Sequence, residues 1–326
     1  METSRRSTDA ADGSITRSGR RFGDRIFSGT AKAAGVLILV TLAAVAAFLL
    51  QQAWPALRTN AATLTEEISW FDEGQTLLGY VGPLVFGTVL AAMIALLLAT
   101  PIAVGIALFI SQYAHRRLAA GLGYIVDLLA AIPSVVYGLW GALWLMPQID
   151  PLFLWVNETL GFIPLFGGEP ASPPRTILTA GIVLAVMILP IIAAVAREVF
   201  LQTPPLHKEA ALALGATRWE MIRMAVLPHG RSGVISAAML GLGRALGETM
   251  AVAMVLSPGA LYSFSLLEPG QQQTIAANIA LQFPEANEMG VSVLIFSGLV
   301  LFVITLAVNM IARWIVARQA EFSGAN

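Results

Sequence analysis

The sequence predicts an all-α polytopic membrane protein with six transmembrane helices and both termini in the cytoplasm. Three observations carry this expectation. Of the 326 residues, 57% are hydrophobic and 12% charged, about half the charged share of an ordinary soluble domain, and the mean hydropathy is +0.75. Six stretches are apolar over the roughly 20 residues that a helix needs to cross about 30 Å of hydrocarbon. The Lys and Arg residues then fall on alternate loops, as orientation by positive cytoplasmic loops requires.

The first stretch, about Ala33 to Ala53, follows a polar tail carrying Arg5, Arg6, Arg17, Arg20, Arg21, Arg25 and Lys32. Its apolar run exceeds the roughly 7–15 residues of a signal-peptide core, so it reads as an uncleaved first helix. The second runs from Tyr80 to Ile110 through Pro101, the third from Leu122 to Met146 through Asp127 and Pro133, and the fourth from Ile177 to Ala196 through Pro190. The fifth, Ser232 to Ser257, contains Arg244 and Glu248, and the sixth covers Val291 to Ala312. With six crossings, sixteen of the nineteen Lys and Arg residues lie on the cytoplasmic side. Splitting the long second stretch would place Arg116 and Arg117 outside and reverse every later loop. The expected organisation is a disordered basic cytoplasmic tail over 1–30, a membrane domain over 31–318 and a cytoplasmic tail over 319–326.

Composition also removes function classes. A net charge of −1 gives no electrostatic basis for nucleic-acid binding. There is no cysteine, and His115, His207 and His229 fit no metal-ligand spacing. No phosphate-binding G-x-x-x-x-G-K-[ST] loop is present, so the chain is not expected to hydrolyse ATP. An intramembrane hydrolase acting on lipid phosphates would lack a nucleophile and a metal cluster, because no histidine or cysteine lies within a span.

Arg244 falls about 20 Å from either end of its helix, near mid-bilayer. A charge there costs at least about 2.5–3.5 kcal/mol and usually faces a bundle interior or a water-filled path. Glu248, four residues on, shares its helical face. Two readings stay open together. One is a structural ion pair; the other is a gate in which Glu248 holds the guanidinium until an anion arrives, the flat guanidinium fork matching phosphate or carboxylate oxygens. Gly243-x-x-x-Gly247 reads as close helix packing. Asp127 lies near a cytoplasmic helix end, where snorkelling or a helix-terminus contact is expected. Ser134 and Tyr137, after Pro133, are candidates for neutral hydrogen bonds to a passing oxyanion.

The cytoplasmic loop over 198–230 has its own helical grammar. Thr203-Pro204-Pro205 signals a helix start, and Leu206, Ala210, Ala213 and Leu214 keep helical spacing up to a stop at Gly215. Thr217-Arg218-Trp219-Glu220 reads as a capping box, opening a second helix expected to end before Pro228. The pair either lies on lipid or docks a soluble cytoplasmic subunit.

Glu209-Ala210-Ala211, then Gly215, then Leu227-Pro228, resembles the EAA loop of binding-protein-dependent ABC importer permeases, with Ala225 where the family carries a branched residue. Arg244-Ala245-Leu246-Gly247-Glu248-Thr249-Met250-Ala251-Val252 is similar to the signature of the phosphate permeases, the PstC and PstA branches of that family. Ala131-Ile132-Pro133-Ser134-Val135-Val136-Tyr137-Gly138 and Leu189-Pro190-Ile191-Ile192 are similar to the same pair, and the long N-terminal extension and large outside loops favour the PstC branch. The resemblance spans about Thr88 to Leu256. It implies a type I importer (MetI-like) bundle that forms the pathway of an ATP-driven phosphate importer by alternating access. It also implies a sister permease, a dimer of ATPase subunits holding the ATP and Mg, an extracytoplasmic phosphate-binding protein, and no cofactor or catalytic site on this chain. Arg244 and Glu248 match the family's intramembrane charges. Glu209, Ala210, Ala211, Leu214 and Gly215 match the loop that couples to the ATPase. Sulfate or molybdate as the oxyanion remains an alternative, since one arginine does not separate them; a passive channel would have no use for such a loop.

Overall fold

The computed structural model describes residues 22–72 and 74–322; the tail arginines Arg5, Arg6, Arg17, Arg20 and Arg21 and the last four residues lie outside them. Among the described residues every regular element is helical: α1 (Phe22–Arg58), α2 (Ala61–Glu67), α3 (Leu77–Leu108), α4 (Arg116–Ala130), α5 (Ser134–Trp140), α6 (Met146–Leu160) and α7 (Ile177–Leu201), followed by α8 (Pro205–Ala213), α9 (Arg218–Met221), α10 (Leu227–Leu246), α11 (Met250–Val255), α12 (Ile275–Gln282) and α13 (Glu288–Phe322). Two units are distinguishable, Met1–Phe48 and Leu49–Asn326. The described part of the first is the apolar N-terminal portion of α1, which begins at Phe22, ahead of the apolar run seen in the sequence. The second unit holds everything else.

Four helical stretches are long and apolar enough to cross a membrane: Ile26–Arg58, Leu77–Tyr113, Ile177–Leu201 and Glu288–Val316. Pro101 does not split the second of these. A π-helical turn over Phe109–Tyr113 extends it, so the helix stands whole. The third stretch expected from sequence is not a straight crossing. It bends by 91° between Arg116–Ala130 and Ser134–Leu160, because Pro133 has no N–H to continue the α4 ladder and restricts the residue before it. Counted as one bent span, it is the fifth candidate. The stretch over Ser232–Ser257 is also interrupted, at Gly247–Thr249 between α10 and α11.

The centre of the second unit is α3 packed on α7. Ala95, Ala99, Ala103 and Ala107 repeat every four residues along α3 and are all fully buried. Small residues at this spacing let backbones approach closely, which supplies the dispersion contacts that hold helices together in lipid. A Cβ added at Gly181 of α7 would sit 2.4 Å from Ile94 Cγ2 of α3. On the other flank of α7, Gly241 of α10 lies against Ile192, and Gly230 and Gly233 lie against Phe200 and Val199. The two half-helices after the breaks meet each other: a Cβ on Gly138 of α5 would come within 2.8 Å of Ala251 Cα in α11.

Two smaller cores mark the ends of this bundle. Ala53 and Ala56 of α1 join Leu64, Ile68, Phe71, Tyr80, Leu84, Ile275, Val293 and Phe296, which ties the start of α3 to the starts of α12 and α13. At the far end of α3, Ala107 and Leu108 pack with Ala196 and Phe200 of α7 and with Met221, Ile222 and Val226. The chain between α11 and α12 is ordered without helix. Leu261 N donates to Gln271 O at 2.8 Å and Leu266 N to Leu165 O at 2.8 Å, while the buried Gln272 side chain donates to the carbonyls of Ser263 and Ser265.

Gly181→Val is therefore expected to force α3 and α7 apart. Overpacking of this kind typically costs about 1–3 kcal/mol, so the detergent-purified chain should unfold at a clearly lower temperature. Gly105→Ala, where nothing lies within 4 Å of the added carbon, is the control and should leave the midpoint where it was. Equal midpoints for all three proteins would mean that the seam is not tight.

Candidate functional site

The interruption between α10 and α11 decides the chemistry of Arg244 and Glu248. Alpha helix α10 closes at Leu246, Gly247 leaves helical geometry at φ −97° and ψ 4°, and α11 starts afresh at Met250. Every helix start leaves N–H groups without intrahelical partners. Glu248, only 8% exposed, supplies one: its Oε1 accepts from Ala251 N at 3.2 Å. The carboxylate is thus used as a backbone cap. The expected pairing of Arg244 with Glu248 does not form, because the i, i+4 relation holds only along an unbroken helix. Among the described residues no carboxylate comes within 4.0 Å of the Arg244 guanidinium.

Arg244, half-buried, instead lines a cavity of about 950 Å³ between α10 and α13, together with Ser236, Gly243, Leu306, Asn309, Met310 and Arg313. Gly243 opens onto this space and Gly247 meets only its own helix, at 3.9 Å from Gly243 O. The Gly243-x-x-x-Gly247 spacing is therefore not a packing motif within this chain. Gly241 does the packing, and Gly247 makes the break.

Tyr137 and Ser134 do not line the cavity. Tyr137 OH donates to Leu129 O at 2.9 Å, and Leu129 O is the carbonyl that would have taken its α-helical bond from residue 133, a proline without an N–H. The phenol thus closes the other break. Ser134 occupies the first turn of α5, half-buried. Asp127 has a partner that its helix alone does not suggest: Arg197 Nη2 of α7 lies 3.5 Å from Asp127 Oδ2 and 3.2 Å from Glu198 Oε1. The Arg197 fork lies over Gly123, where an added Cβ would meet Nη1. Among the described residues no group of His, Cys, Asp or Glu is placed to hold a metal ion.

The loop over 198–230 folds largely as its sequence spells out. Helix α8 opens after Pro204 and closes at Gly215, which takes φ +84°, a conformation that glycine adopts without a Cβ penalty. The capping box is present: Glu220 N donates to Thr217 Oγ1 at 3.3 Å, and Thr217 N donates to Glu220 Oε2 at 2.8 Å. Glu209, Ala210, Leu214 and Gly215 are exposed and Ala211 is half-buried; Leu206 is 75% and Leu214 89% exposed. The second helix does not stop before Pro228. It passes through a π-helical turn over Ile222–Val226 into α10, with Leu227 N bonded to Ile222 O and Pro228 in the first turn. That position requires no intrahelical N–H. The knob is anchored by Met221, Ile222 and Val226, buried against Phe200 and the end of α3, and Gln112 Nε2 donates to Phe200 O.

Asn309 and Arg313 escaped the sequence reading, which used Arg313 only to orient the last helix. The signal was present: Leu306, Asn309, Met310, Arg313 and Val316 keep helical spacing on α13, and Ser236, Met239, Leu240, Gly243 and Arg244 keep it on α10.

Several membrane helices, two of them broken where they meet, with two arginines and no carboxylate lining a lateral cavity, define a multi-pass inner-membrane permease. Residues 99–321 match the family described as binding-protein-dependent transport system inner membrane component. The phosphate transport system permease protein PstC 2 of Mycobacterium tuberculosis is 47% identical over 90% of this chain and 91% of its own length. The phosphate transport system permease protein PstC of Xylella fastidiosa is 42% identical over 92% of this chain and 93% of its own. Among solved structures, a bacterial ABC transporter involved in the import of the acidic polysaccharide alginate aligns with a TM-score of 0.50 at 18% identity, covering 89% of this chain and 99% of that one; the likeness is one of fold. The chain belongs to the binding-protein-dependent inner-membrane transport components, in their PstC branch.

Two outcomes follow from the caps. Glu248→Ala removes the acceptor for Ala251 N and should destabilise the purified chain by about 0.5–2 kcal/mol, the range seen when a side-chain acceptor at a helix start is lost. Glu248→Gln keeps a carbonyl acceptor and should lose much less; equal losses would show that charge, and not capping, is what the site needs. In the loop, the backbone N–H of Thr217, and secondly its hydroxyl, hold the exposed Glu220 carboxyl below the usual range. A depressed folded value means that the cap is fully present above the ordinary carboxylate range and is lost as pH falls through Glu220's own value. A spin label at Ala216→Cys should gain mobility only on that acid side, and Glu220→Gln should remove the step.

Proposed function

We propose that the chain is one of two membrane subunits of an ATP-driven importer of inorganic phosphate. The observation that carries this reading is Arg244, a guanidinium without a carboxylate partner in a membrane-embedded cavity, in a chain 47% identical to a protein named as a phosphate permease. A partnerless cation at that depth is costly, and a phosphate oxyanion offers the bidentate acceptor that a guanidinium fits.

In this reading six spans cross the membrane with both ends cytoplasmic, α10 with α11 serving as the fifth and α4 with α5 and α6 as a bent third. Trp314 under the Arg318 guanidinium, 4.0 Å from its ring centre, suits a cytoplasmic interface anchor at the end of α13. The exposed α8, with Glu209, Ala210, Ala211, Leu214 and Gly215, docks a soluble ATPase dimer that holds ATP and Mg. A sister permease completes the pathway, and an extracytoplasmic binding protein delivers phosphate. When the ATPase closes, α8 moves as a rigid knob, because its hydrophobic anchor reaches the cytoplasmic ends of α3 and α7. The bundle then tilts between outward and inward openings. Arg244 lowers the cost of bringing a dehydrated anion through mid-membrane, and Glu248 keeps the broken span folded beside it.

The test is labelled-phosphate uptake into proteoliposomes containing this chain, its sister permease, the ATPase and the binding protein, with ATP supplied to the ATPase. Losing one charge-assisted contact worth about 1.5–3 kcal/mol should make Arg244→Gln slower by about 10- to 100-fold, with assembly unchanged. Wild-type rates in that variant would defeat the anion assignment. Competition by sulfate would leave the permease standing and change its substrate.

A further inference from the structure

We propose that Arg313 and Asn309 of α13 form a second oxyanion station, through which a phosphate group passes between Arg244 and the cytoplasm. The proposal rests on the importer reading above and names residues to which that reading gives no role.

The cavity that Arg244 lines is bounded on the α13 side by Leu306, Asn309, Met310, Arg313 and Val316. Its charged lining is two guanidinium groups and no carboxylate; Asn309 adds neutral donors, whereas the Ser236 hydroxyl donates to Ser232 O of its own helix at 3.0 Å. Among the described residues no carboxylate lies within 4.0 Å of Arg313, and the Asn309 side chain makes no hydrogen bond. An amide in an apolar membrane helix normally bonds to a neighbouring helix. Asn309, one turn before Arg313 and about 6 Å away along the axis, faces the cavity instead. Ten donor N–H groups on two arginines, surrounded by methionine and leucine, recognise a tetrahedral oxyanion with several acceptor oxygens and repel a cation.

The order of the two stations follows from packing. Helix α13 starts beside Tyr80 and Leu84 at the first turns of α3. The other end of α3 packs on the α8–α10 knob. The C-terminal half of α13 therefore runs toward the knob, while α10 runs away from it toward Arg244. Arg313 is then the station nearer the cytoplasm and Arg244 the deeper one.

A phospholipid headgroup presents the same phosphate oxygens, so the experiment separates the two sources. The complete complex, with sister permease, ATPase and binding protein, is reconstituted in phosphatidylcholine with and without phosphatidylglycerol. Because the chain contains no cysteine, Ser236→Cys places a single thiol in the cavity wall. Arg313→Gln is expected to lower ATP-driven phosphate uptake about tenfold, the loss of one charge-assisted contact, with binding-protein-stimulated ATP hydrolysis retained. Arg313→Lys, which keeps the charge that orients the helix, should restore part of the uptake. Inorganic phosphate should slow modification of the Ser236→Cys thiol in pure phosphatidylcholine and fail to do so once Arg313→Gln is added. Wild-type uptake in Arg313→Gln overturns the station while leaving the importer intact. So does protection that appears only with phosphatidylglycerol, which would make the cavity a lipid seat. A wild-type complex that hydrolyses ATP and moves no phosphate would refute the importer itself and the station with it.

Discussion

The hydrogen bond from Ala251 N to Glu248 Oε1 is the interaction on which the character of the site depends. Hydrocarbon offers no water to a backbone N–H exposed at a helix break, so protein groups have to satisfy it. Once Glu248 takes that duty, its carboxylate is no longer in position to neutralise Arg244, and the cation faces a cavity. The second break obeys the same constraint with opposite polarity. There Pro133 leaves the Leu129 carbonyl without its helical donor, and Tyr137 provides one from the next helix. One break is thus closed by a side chain within it and the other by a side chain from the helix that follows. The two short helices that result, α5 and α11, then press backbone to backbone at Gly138 and Ala251.

Around this broken pair the rest of the unit is stiff. Gly181 of α7 leaves no space for an extra carbon and the alanine row of α3 is fully buried, and closely packed interiors have low compressibility and transmit strain. The knob formed by α8 and α9 is fastened to the ends of the same two helices through Phe200, Ile222 and Val226. A push on α8 therefore reaches α3 and α7 first. It reaches the broken spans through α10, which is continuous with the knob across the π turn at Ile222–Val226. Arg197, holding Asp127 of α4 from α7, adds a polar contact between one broken span and the stiff pair.

The sequence disclosed what rests on local rules. Apolar length located the four unbroken membrane-length helices, Thr217 and Glu220 announced their capping box, and Gly215 announced the end of α8, because each is a contest between neighbouring residues and backbone. It misjudged what rests on continuity. The relation between Arg244 and Glu248 presupposes an unbroken helix, and the Gly243-x-x-x-Gly247 spacing reads as packing although Gly247 makes the break. Pro228 was read as a stop, whereas a π turn carries the helix up to it. Partners distant in sequence were invisible for a different reason. Asp127 and Arg197 meet only once α4 lies on α7, and Arg244 and Arg313 come to line one cavity only once α13 lies on α10. Asn309 was detectable in principle as the one amide between Val291 and Ala312, on the same helical face as Arg313.

A single deep guanidinium is a poor device for transport, since a site that binds a dehydrated phosphate strongly enough to admit it also retains it. Conduction pathways meet this difficulty with several sites, each weak enough to leave. Two arginines in one cavity without a carboxylate fit that logic physically. With the cavity empty they repel each other, and an oxyanion with one or two negative charges relieves the repulsion. The gain from entry is then shared between the stations. Because Arg313 lies nearer the cytoplasm and is exposed, its attraction is screened by solvent and salt more than that of Arg244. In the proposed importer the anion would pass from the tighter contact to the looser one and be rehydrated there. On that proposal the ordering also gives the path a direction: release would be favoured at the end where water re-enters.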